Sequence, residues 1–381
     1  MARTSSPPPV SAPPLALASA GAAELREAGL RFTSDAGPGY HRKARGKTFF
    51  YVDEKGKRVR DEATLARIRS LVIPPAWTQV WICLPENGHL QATGKDARGR
   101  KQYRYHPRWR ASRDETKFHR ILSFARTLPK IRRHVKRDLK APGMGRQKVL
   151  ATVVRLLEAT LIRIGNDAYA RDNGSYGLTT MRNRHAQVKG SRIDFSFRGK
   201  SGKRHEISVQ DAALARIVRR CQDLPGQELF AYENDTGVHD VGSTEVNQYL
   251  REISGCDFTA KDFRTWAGTV LAAIALKEFE AFSSVTQAKK NIIAAIEAVA
   301  RMLGNTPAVC KKCYVHPTIL DSYLEGTTIE TLKQRLDPAI DSGLKNLKPE
   351  EAAVVVLLDR RLHLQGKESR GKATRKRART R

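Results

Sequence analysis

One tyrosine of the chain stands in a setting that suits covalent chemistry. Tyr314 follows Lys311 and Lys312 and lies between two prolines, in a segment that begins at Asn305 beyond an amphipathic helix ending at Gly304. We expect this segment to be a loop. A phenol on a loop can act as a nucleophile if neighbouring residues lower the cost of its ionisation and hold its electrophile. The alternative is a tyrosine whose ring packs beneath the loop and takes no part in chemistry.

Three cations elsewhere in the chain are placed where they could assist such a nucleophile. Arg163 precedes Gly165, the residue predicted to end an apolar helix, and its guanidinium would leave the last helical turn. Lys200 occupies a glycine-flanked hairpin turn, and Arg264 lies near the start of a helix with a capping-box pattern. A guanidinium binds two phosphoryl oxygens and stays protonated, whereas a lysine can give its proton to a leaving alkoxide. Each of them could equally be a surface charge.

The charge balance of the chain indicates a polyanionic partner. Its 381 residues include 69 Lys and Arg against 39 Asp and Glu, which gives a formal net charge of +30 and a pI of about 10.3. Nucleic acid is the usual partner of so basic a protein, although ribosome-associated and chaperone-bound proteins can be equally basic. Composition therefore predicts a binder of polyanions and does not distinguish an enzyme from a non-catalytic protein.

Cysteine usage and hydropathy bear on the compartment. The five cysteines are odd in number and mostly far apart, which favours a reducing compartment over a disulfide framework. No run reaches the ~18 apolar residues needed to cross a bilayer, so we expect no membrane partner and, together with the cysteine usage, a cytoplasmic protein. Cys310 and Cys313 have metal-like spacing, but no second pair completes a zinc site, and we predict no metal.

Two regions of different pattern follow one another along the chain, and the expected fold class is α+β. Residues 26–110 alternate strand-like runs with turns and contain one predicted helix at 61–71, which indicates a small β-rich domain. Residues 111–345 predict a larger, mainly α-helical domain with a β-hairpin at 193–209. Helical patterns fall at 149–164, 211–221, 244–254, 262–280, 285–303 and 329–360.

The two ends of the chain differ from these regions. Residues 1–25 are rich in Pro, Ser and Ala without an uninterrupted apolar run, which favours a disordered arm over a signal peptide. Residues 346–381 comprise the end of the last helix and a basic tail with eight Lys or Arg and one Glu from Gly366 onward. We expect this tail to be disordered and to add non-specific affinity for DNA.

The stretch between Thr93 and Arg113 alternates cations with aromatic residues. Cations can pair with phosphates, while Tyr103, Tyr105 and Trp109 can contact sugars or bases. A solvated basic linker is the alternative. The residues predicted to contact nucleic acid are Lys95, Arg98, Arg100, Lys101, Tyr103, Arg104, Tyr105 and Arg108.

Five short motifs occur in a fixed order at 161–166, 176–182, 197–203, 261–266 and 311–317. Together they closely resemble the motifs of the type IB DNA topoisomerases of the bacterial, poxvirus-like branch. The resemblance also takes in residues 73–77 and 93–110, so that it covers roughly residues 30–345 of the chain. Five motifs in order are far more specific than any one of them.

The resemblance implies a reaction and a role for each residue of the site. Tyr314 would attack a DNA phosphodiester, forming a 3′-phosphotyrosyl bond and freeing a 5′-hydroxyl. Arg163 and Arg264 would hold the non-bridging oxygens, and Lys200 would act as general acid. The nicked duplex would rotate and reseal without ATP or a metal, which agrees with a sequence that lacks a phosphate-binding Gly-x-x-x-x-Gly-Lys loop. The β-rich and catalytic domains of a monomer would close as a clamp around double-stranded DNA.

One site residue departs from the family pattern. Poxvirus and eukaryotic members carry a histidine where this chain has Asn305. An amide can donate a hydrogen bond to a phosphoryl oxygen, but it carries no charge and exchanges no proton. The resemblance therefore implies a supporting role for Asn305.

Two other functions fit parts of the pattern. Tyrosine recombinases use the same nucleophile and arginines but typically show His-x-x-Arg, whereas this chain has Lys261 before Arg264, as in the topoisomerases. A non-catalytic nucleoid-binding protein would account for the net charge without a role for Tyr314. Among the histidines, His316 is predicted to be a turn residue that could help to activate Tyr314, and His185 and His205 fit strand surfaces as well as ligands.

Overall fold

The computed structural model describes residues 25–361, apart from 47, 98, 100, 280, 281, 330–343 and 345. The predicted arm, except residue 25, and the basic tail from residue 362 lie outside the described residues, as do Arg98, Arg100 and part of the predicted helix at 329–360. The chain divides into two compact units, Met1–Phe118 and His119–Arg381.

The first unit is built on a five-stranded antiparallel sheet. Helix α1 (Glu62–Ser70) packs Ile68 against Val80, Ile82 and Ala92 of this sheet. The prediction of a β-rich region with one helix is confirmed. In the order β2–β1–β3–β4–β5, the strands are β1 (Gly39–Arg45), β2 (Thr48–Val52), β3 (Thr78–Cys83), β4 (Leu90–Lys95) and β5 (Lys101–Tyr105).

The second unit is mainly helical, as predicted. Helix α2 (Pro107–Asp138) crosses the division between the units, and a helical segment at 349–361 ends the described chain. Four of the predicted helices, those at 211–221, 244–254, 262–280 and 285–303, agree with the structure to within three residues at each end. The remaining helices are α3 (Arg146–Thr160), α4 (Asp167–Asn173), α5 (Ala212–Gln222), α6 (Ser243–Ser254), α7 (Ala260–Lys277), α8 (Val285–Leu303), α9 (Pro307–Tyr314) and α10 (Pro317–Leu324).

Helix α7 lies at the centre of the second unit and packs against α3, α6, α8, α9 and α10. Thr259 precedes it, and its backbone N–H and hydroxyl both donate to Asp262 Oδ2, at 2.7 and 3.0 Å. This confirms the capping-box start predicted from the sequence. Because these helices surround α7, Arg264 and Thr265 in its first turns are buried within the unit, whereas Lys261 stays exposed.

The predicted hairpin is the outer part of a three-stranded antiparallel sheet. Strands β7 (Arg192–Arg198) and β8 (Arg204–Gln210) form the hairpin, and β6 (Ala186–Lys189), which was not predicted, pairs with β7. A 3-10 turn at Lys200–Gly202 joins β7 to β8. The Gly199 N–H closes the turn by donating to the Lys203 carbonyl at 2.7 Å. Lys200 therefore stands exposed in the turn, as expected.

The prediction that an apolar helix runs on to Gly165 is wrong. Helix α3 ends at Thr160, because Leu161 adopts a left-handed conformation with φ 56° and its N–H bonds back to the Leu157 carbonyl. A left-handed leucine is uncommon, and no residue type in the sequence announces it. Arg163 consequently lies beyond the helix, in chain without regular secondary structure, rather than on its last turn.

The prediction that Tyr314 lies on a loop is also wrong. Tyr314 is the last residue of α9, whose N-cap is Thr306, with Pro307 at the first helical position. The Val309 N–H donates to the Thr306 hydroxyl at 3.4 Å. Proline is favoured at the first position of a helix, where its missing N–H has no intrahelical partner to lose. Thr-Pro was thus a helix start, although the prolines had suggested a loop.

No single helix in the described part of the chain is long and apolar enough to cross a membrane. Helices α8 and α9, which meet at 89°, reach the required length and hydropathy only when taken together.

Candidate active site

A cleft of about 290 Å³ in the second unit gathers side chains from distant parts of the sequence. Arg163, Lys200, Arg264 and Tyr314 all line it. Four of the five predicted catalytic residues are thereby brought together. The fifth, Asn305, is connected to the cleft through its contact with Arg163.

Arg163 is positioned by hydrogen bonds between its own segment and the 3-10 turn at Leu178–Thr180. The Leu178 N–H donates to the Arg163 carbonyl at 2.9 Å, and the Thr179 N–H donates to the Ile164 carbonyl at 2.7 Å. A Cβ atom on Gly177, next to these hydrogen bonds, would lie 2.5 Å from the Arg163 carbonyl oxygen, so only glycine permits this approach. The motif at 176–182 therefore serves to fix the backbone that carries Arg163.

Arg264 is almost fully buried, with 4% of its surface exposed. Its guanidinium donates to the carbonyls of Leu161, just beyond α3, and Leu303, at the end of α8, the latter at 2.7 Å. Its central carbon lies 5.1 Å from the centre of the Tyr314 ring. Burial, followed by the nearby charge of Arg163, lowers the pKa of Arg264. Two backbone carbonyls thus hold a buried cation against the phenol.

Tyr314 is half-buried and is held by α7 through its backbone. Its carbonyl accepts a hydrogen bond from the Thr269 hydroxyl at 3.3 Å, and the same hydroxyl accepts from the His316 N–H at 3.1 Å. His316 had been predicted to be a turn residue, and the structure corrects this. It caps α10, with its Nδ1 accepting from the Thr318 N–H at 3.1 Å.

Gly268 allows α7 to approach the tyrosine backbone. A methyl group at this position would lie 2.6 Å from the Tyr314 carbonyl oxygen and 3.0 Å from its Cβ. Because the opposing atoms are backbone, Gly268→Ala must shift α9, and a displacement near 1 Å can slow a reaction about 100-fold. We expect this loss in the single-turnover DNA cleavage that the sequence resemblance implies. Gly145→Ala, where the methyl meets open space at a negative φ, is the matched control and should cleave normally.

Lys200 faces an aromatic residue that the sequence analysis missed. Its ammonium lies 5.8 Å from the centre of the Tyr169 ring, and both residues line the cleft. Tyr169 is on α4, which Asn166 caps by accepting a hydrogen bond from the Tyr169 N–H at 3.1 Å. Asn166, an N-cap residue at the end of the first motif, was a signal for a helix start that could have placed Tyr169 here.

The side-chain amide of Asn305 has a hydrogen-bond partner for its oxygen and, among the described residues, none for its nitrogen. Its Oδ1 accepts a hydrogen bond from Arg163, and its carbonyl accepts from the Lys203 ammonium at 3.4 Å. Its Nδ2 is buried and has no hydrogen-bond partner among the described residues. A buried amide donor left in this way can bond to an acceptor that a ligand brings.

The residues predicted to contact nucleic acid belong to the first unit. Lys95 ends β4, and Lys101, Tyr103 and Tyr105 alternate along β5 with exposed side chains. The two tyrosine rings stack with centres 6.0 Å apart and an interplanar angle of 11°. Lys101 also pairs with Asp35 at 2.5 Å, which raises the pKa of Lys101. These residues form an exposed surface of alternating cations and aromatic rings, here called the β5 face.

Arg104 and Arg108 are not on the β5 face. Alternation along β5 turns Arg104 to the opposite side, where it donates to the Val72 carbonyl at 2.7 Å and lies 6.0 Å from the Trp77 ring. Arg108 is exposed on α2.

The two histidines that were predicted to be strand-surface residues or ligands take different places. His185 is buried in a short 3-10 turn, with its Nδ1 accepting from the Arg182 N–H at 3.0 Å and its ring 4.4 Å from that of Tyr176. His205 does lie on strand β8, but its ring is half-buried against Phe197. Within the described ranges, no group of three His, Cys, Asp or Glu side chains is placed to hold a metal ion.

Comparison with known proteins shows the family to which the chain is related. Residues 106–341 match the family of the eukaryotic DNA topoisomerase I catalytic core, and residues 48–96 match the N-terminal domain of bacterial DNA topoisomerase IB. DNA topoisomerase 1B of Acanthamoeba polyphaga mimivirus is 31% identical over 317 residues, which cover 81% of this chain and 94% of the viral protein. DNA topoisomerase 1B of vaccinia virus, strain Copenhagen, is 23% identical over 258 residues, covering 65% and 78%. DNA topoisomerase 1 of rabbit fibroma virus is 25% identical over 240 residues, covering 60% and 70%.

Proposed function

The chain belongs to the type IB DNA topoisomerases, and we propose that Tyr314 is the nucleophile with which it cleaves one strand of duplex DNA. The phenolic oxygen attacks the scissile phosphorus and the bond to the 5′ oxygen breaks, which leaves a 3′-phosphotyrosyl bond. Lys200 gives its proton to the leaving 5′ oxygen, and the phenolic proton passes to water. After the duplex has rotated, the 5′-hydroxyl attacks in reverse and restores the phosphodiester, so that supercoils relax.

The other site residues stabilise the charge that develops on the phosphorane. Arg163 and Arg264 bind the non-bridging oxygens through their remaining N–H groups. The Nε–H of Arg264 and the Nδ2–H of Asn305 are buried donors without partners in the described part of the chain. Both are available to a phosphate that enters the cleft, which supports a place for Asn305 in the site.

The observation that carries the proposal is the convergence of all five motifs on one cleft. The cleft is lined by a phenol, two guanidiniums and an ammonium, although the residues that carry these groups are far apart in the sequence. The phosphotyrosyl bond conserves the energy of the phosphodiester, and three cations supply the positive charge that a metal ion gives in other phosphoryl-transfer sites. We therefore propose that the reaction needs neither ATP nor a metal.

The proposal extends to the way in which the protein holds DNA. A DNA-binding domain at 26–110 and a catalytic domain at 111–345 close as a clamp around the duplex, and the protein acts as a monomer at the nucleoid in the cytoplasm. The net charge of +30 and the exposed β5 face support this arrangement. Binding of this kind weakens steeply as salt rises, because cations on the protein displace counterions from DNA.

Relaxation of a supercoiled plasmid in EDTA without ATP tests the proposed function. We expect full relaxation, and denaturant added during the reaction should leave protein attached to the 3′ end at the nick. Failure to relax plasmid or to form this adduct, while DNA is still bound, would favour a non-catalytic nucleoid protein. Strand exchange between defined sites would favour a recombinase.

Asp35 is expected to weaken DNA binding by the β5 face. It neutralises Lys101, and an exposed ion pair of this kind is worth about 0.2–1 kcal/mol. We expect Asp35→Asn, which keeps the acceptor for the Thr93 hydroxyl, to tighten DNA binding up to about fivefold and to steepen the dependence of log Kd on log salt by about one. Glu62→Gln, which frees Arg69 from a similar pair on α1, is the control. Equal effects of the two changes in a salt titration would contradict a specific role for the β5 face.

A further inference from the structure

The ring of His205 is packed between the two glycines that precede Lys200 and Asn305. It stacks on Phe197, its cross-strand partner, with ring centres 5.1 Å apart and an interplanar angle of 13°. One edge of the ring faces Gly199, in the hairpin turn, and the other faces Gly304, at the end of α8. The imidazole therefore connects two elements that carry site residues.

The contacts on both edges are tight. A methyl group on Gly199 would lie 2.6 Å from Cδ2 and 2.7 Å from Nε2 of His205. A methyl group on Gly304 would lie 2.4 Å from Cε1. Real Cβ atoms essentially never approach other atoms so closely, so both positions leave room for the ring by having no side chain. The hairpin turn and the end of α8 are thus fitted to the imidazole.

A second contact joins the same two elements. Lys203, at the end of the turn, donates to the Asn305 carbonyl at 3.4 Å. It is exposed and long, so this contact alone restricts the turn weakly. The half-buried ring of His205 is the more rigid link between the turn and Asn305.

We propose that His205 is a positioning residue that holds the Lys200 turn against the end of α8, so that the ammonium reaches the leaving 5′ oxygen. The proposal rests on the proposed function of Lys200 as general acid. His205 acts by packing and does not exchange a proton with the substrate.

The electrostatic surroundings agree with an uncharged ring. Burial, followed by the charges of Arg163, Arg264 and Lys203, lowers the pKa of His205. The ring is therefore neutral at neutral pH, where it can stack on Phe197 and lie among three cations without repulsion.

Single-turnover cleavage of two substrates tests the proposal with His205→Ala. On ordinary DNA we expect a loss of about 100-fold, since general acid catalysis is worth about 10²–10⁴-fold and misplacement removes much of it. On a duplex with sulfur in place of the scissile 5′ oxygen, the leaving thiolate needs no proton, and the loss should shrink to about threefold. A general loosening of the site would slow both substrates equally.

A double substitution tests the contact itself. Gly199→Ala has an ordinary negative φ for alanine, so that its effect comes from the clash with the ring. It should slow cleavage of ordinary DNA, and adding it to His205→Ala should produce no further loss, because the opposing ring is then absent. Additive losses would mean that the two residues share no functional contact, and would overturn the proposal.

His239→Ala is the matched control, because His239 also stacks on an aromatic ring of a hairpin, that of Tyr232 at 5.5 Å, and does not line the cleft. Thermal unfolding and DNA affinity, measured for every variant, establish that each is folded. If His205→Ala cleaves ordinary DNA at the wild-type rate, or loses rate equally on both substrates, the positioning role is wrong. If the wild type itself forms no adduct through Tyr314, the proposed function fails instead.

Discussion

Tyr314→Phe should abolish both plasmid relaxation and covalent trapping on DNA, with a loss of about 10⁴-fold or more, as for other nucleophile deletions. The change removes the phenolic oxygen and keeps the ring that lies 5.1 Å from the Arg264 guanidinium carbon. The backbone contact with Thr269 is also unaffected. DNA affinity and thermal stability should therefore stay close to those of the wild type, which separates lost chemistry from lost structure.

Tyr323→Phe provides the comparison. Tyr323 is buried on α10, and its hydroxyl accepts a hydrogen bond from Asn291 at 2.7 Å. Removing this hydroxyl costs about 1 kcal/mol of stability and should leave relaxation intact. Relaxation by Tyr314→Phe at more than a trace, measured on the same plasmid, would show that another group is the nucleophile.

Arg264→Ala should impair both catalysis and stability, whereas Arg163→Ala should impair catalysis alone. Each loses a donor for the phosphorane oxygens, and a loss of about 10²–10³-fold in the cleavage rate is typical of such donors. Arg264 also satisfies the carbonyls of Leu161 and Leu303, and each buried carbonyl left without a partner costs about 1–3 kcal/mol. Arg163 is half-buried and bonds to the side chain of Asn305.

Cleavage rates and unfolding midpoints of the two variants decide this prediction. Arg264→Lys refines it, because one ammonium cannot reproduce the planar fork that reaches both carbonyls. We expect it to behave like Arg264→Ala in both measurements. An unfolding midpoint equal to that of Arg163→Ala would mean that the two carbonyls contribute nothing to the fold.

The sequence predicted the elements that local rules determine. The start of α7 at the capping box of Thr259 and Asp262 was readable because two side chains and two backbone groups decide it. The hairpin with Lys200 in its turn followed from apolar alternation and flanking glycines. The third strand, β6, was missed, since its four residues are too few to show a period.

The predictions failed where a residue type is common in two kinds of local structure, or where contacts with distant parts of the chain determine the backbone conformation. Pro307 was interpreted as part of a loop although it begins α9, and Leu161 adopts a left-handed conformation that its side chain disfavours. The Leu161 conformation is compensated from far away, because the carbonyl it exposes is bonded by Arg264. No pattern within a window of the sequence contains that information.

The members of the site were identifiable through the resemblance, but their contacts were not. The bond from Arg163 to Asn305 and the approach of Gly268 to Tyr314 join segments far apart in the chain. His205 likewise acquires its surroundings from the fold, since nothing on β8 itself distinguishes it from a surface residue. Such contacts depend on tertiary packing, which the periodicity of one segment does not encode.

The two carbonyls that hold Arg264 belong to helix ends, and this has an electrostatic consequence. Leu161 caps the C-terminus of α3, and Leu303 is the last residue of α8. The negative ends of two macrodipoles, each equivalent to about half an elementary charge, therefore meet at one guanidinium. These partial charges offset much of the free energy that is needed to desolvate the buried cation. The remaining cost is incurred when the protein folds and not when it binds DNA. If Arg264 binds the scissile phosphate as proposed, its field is present before the substrate arrives, and breaking and rejoining a strand use one fixed environment.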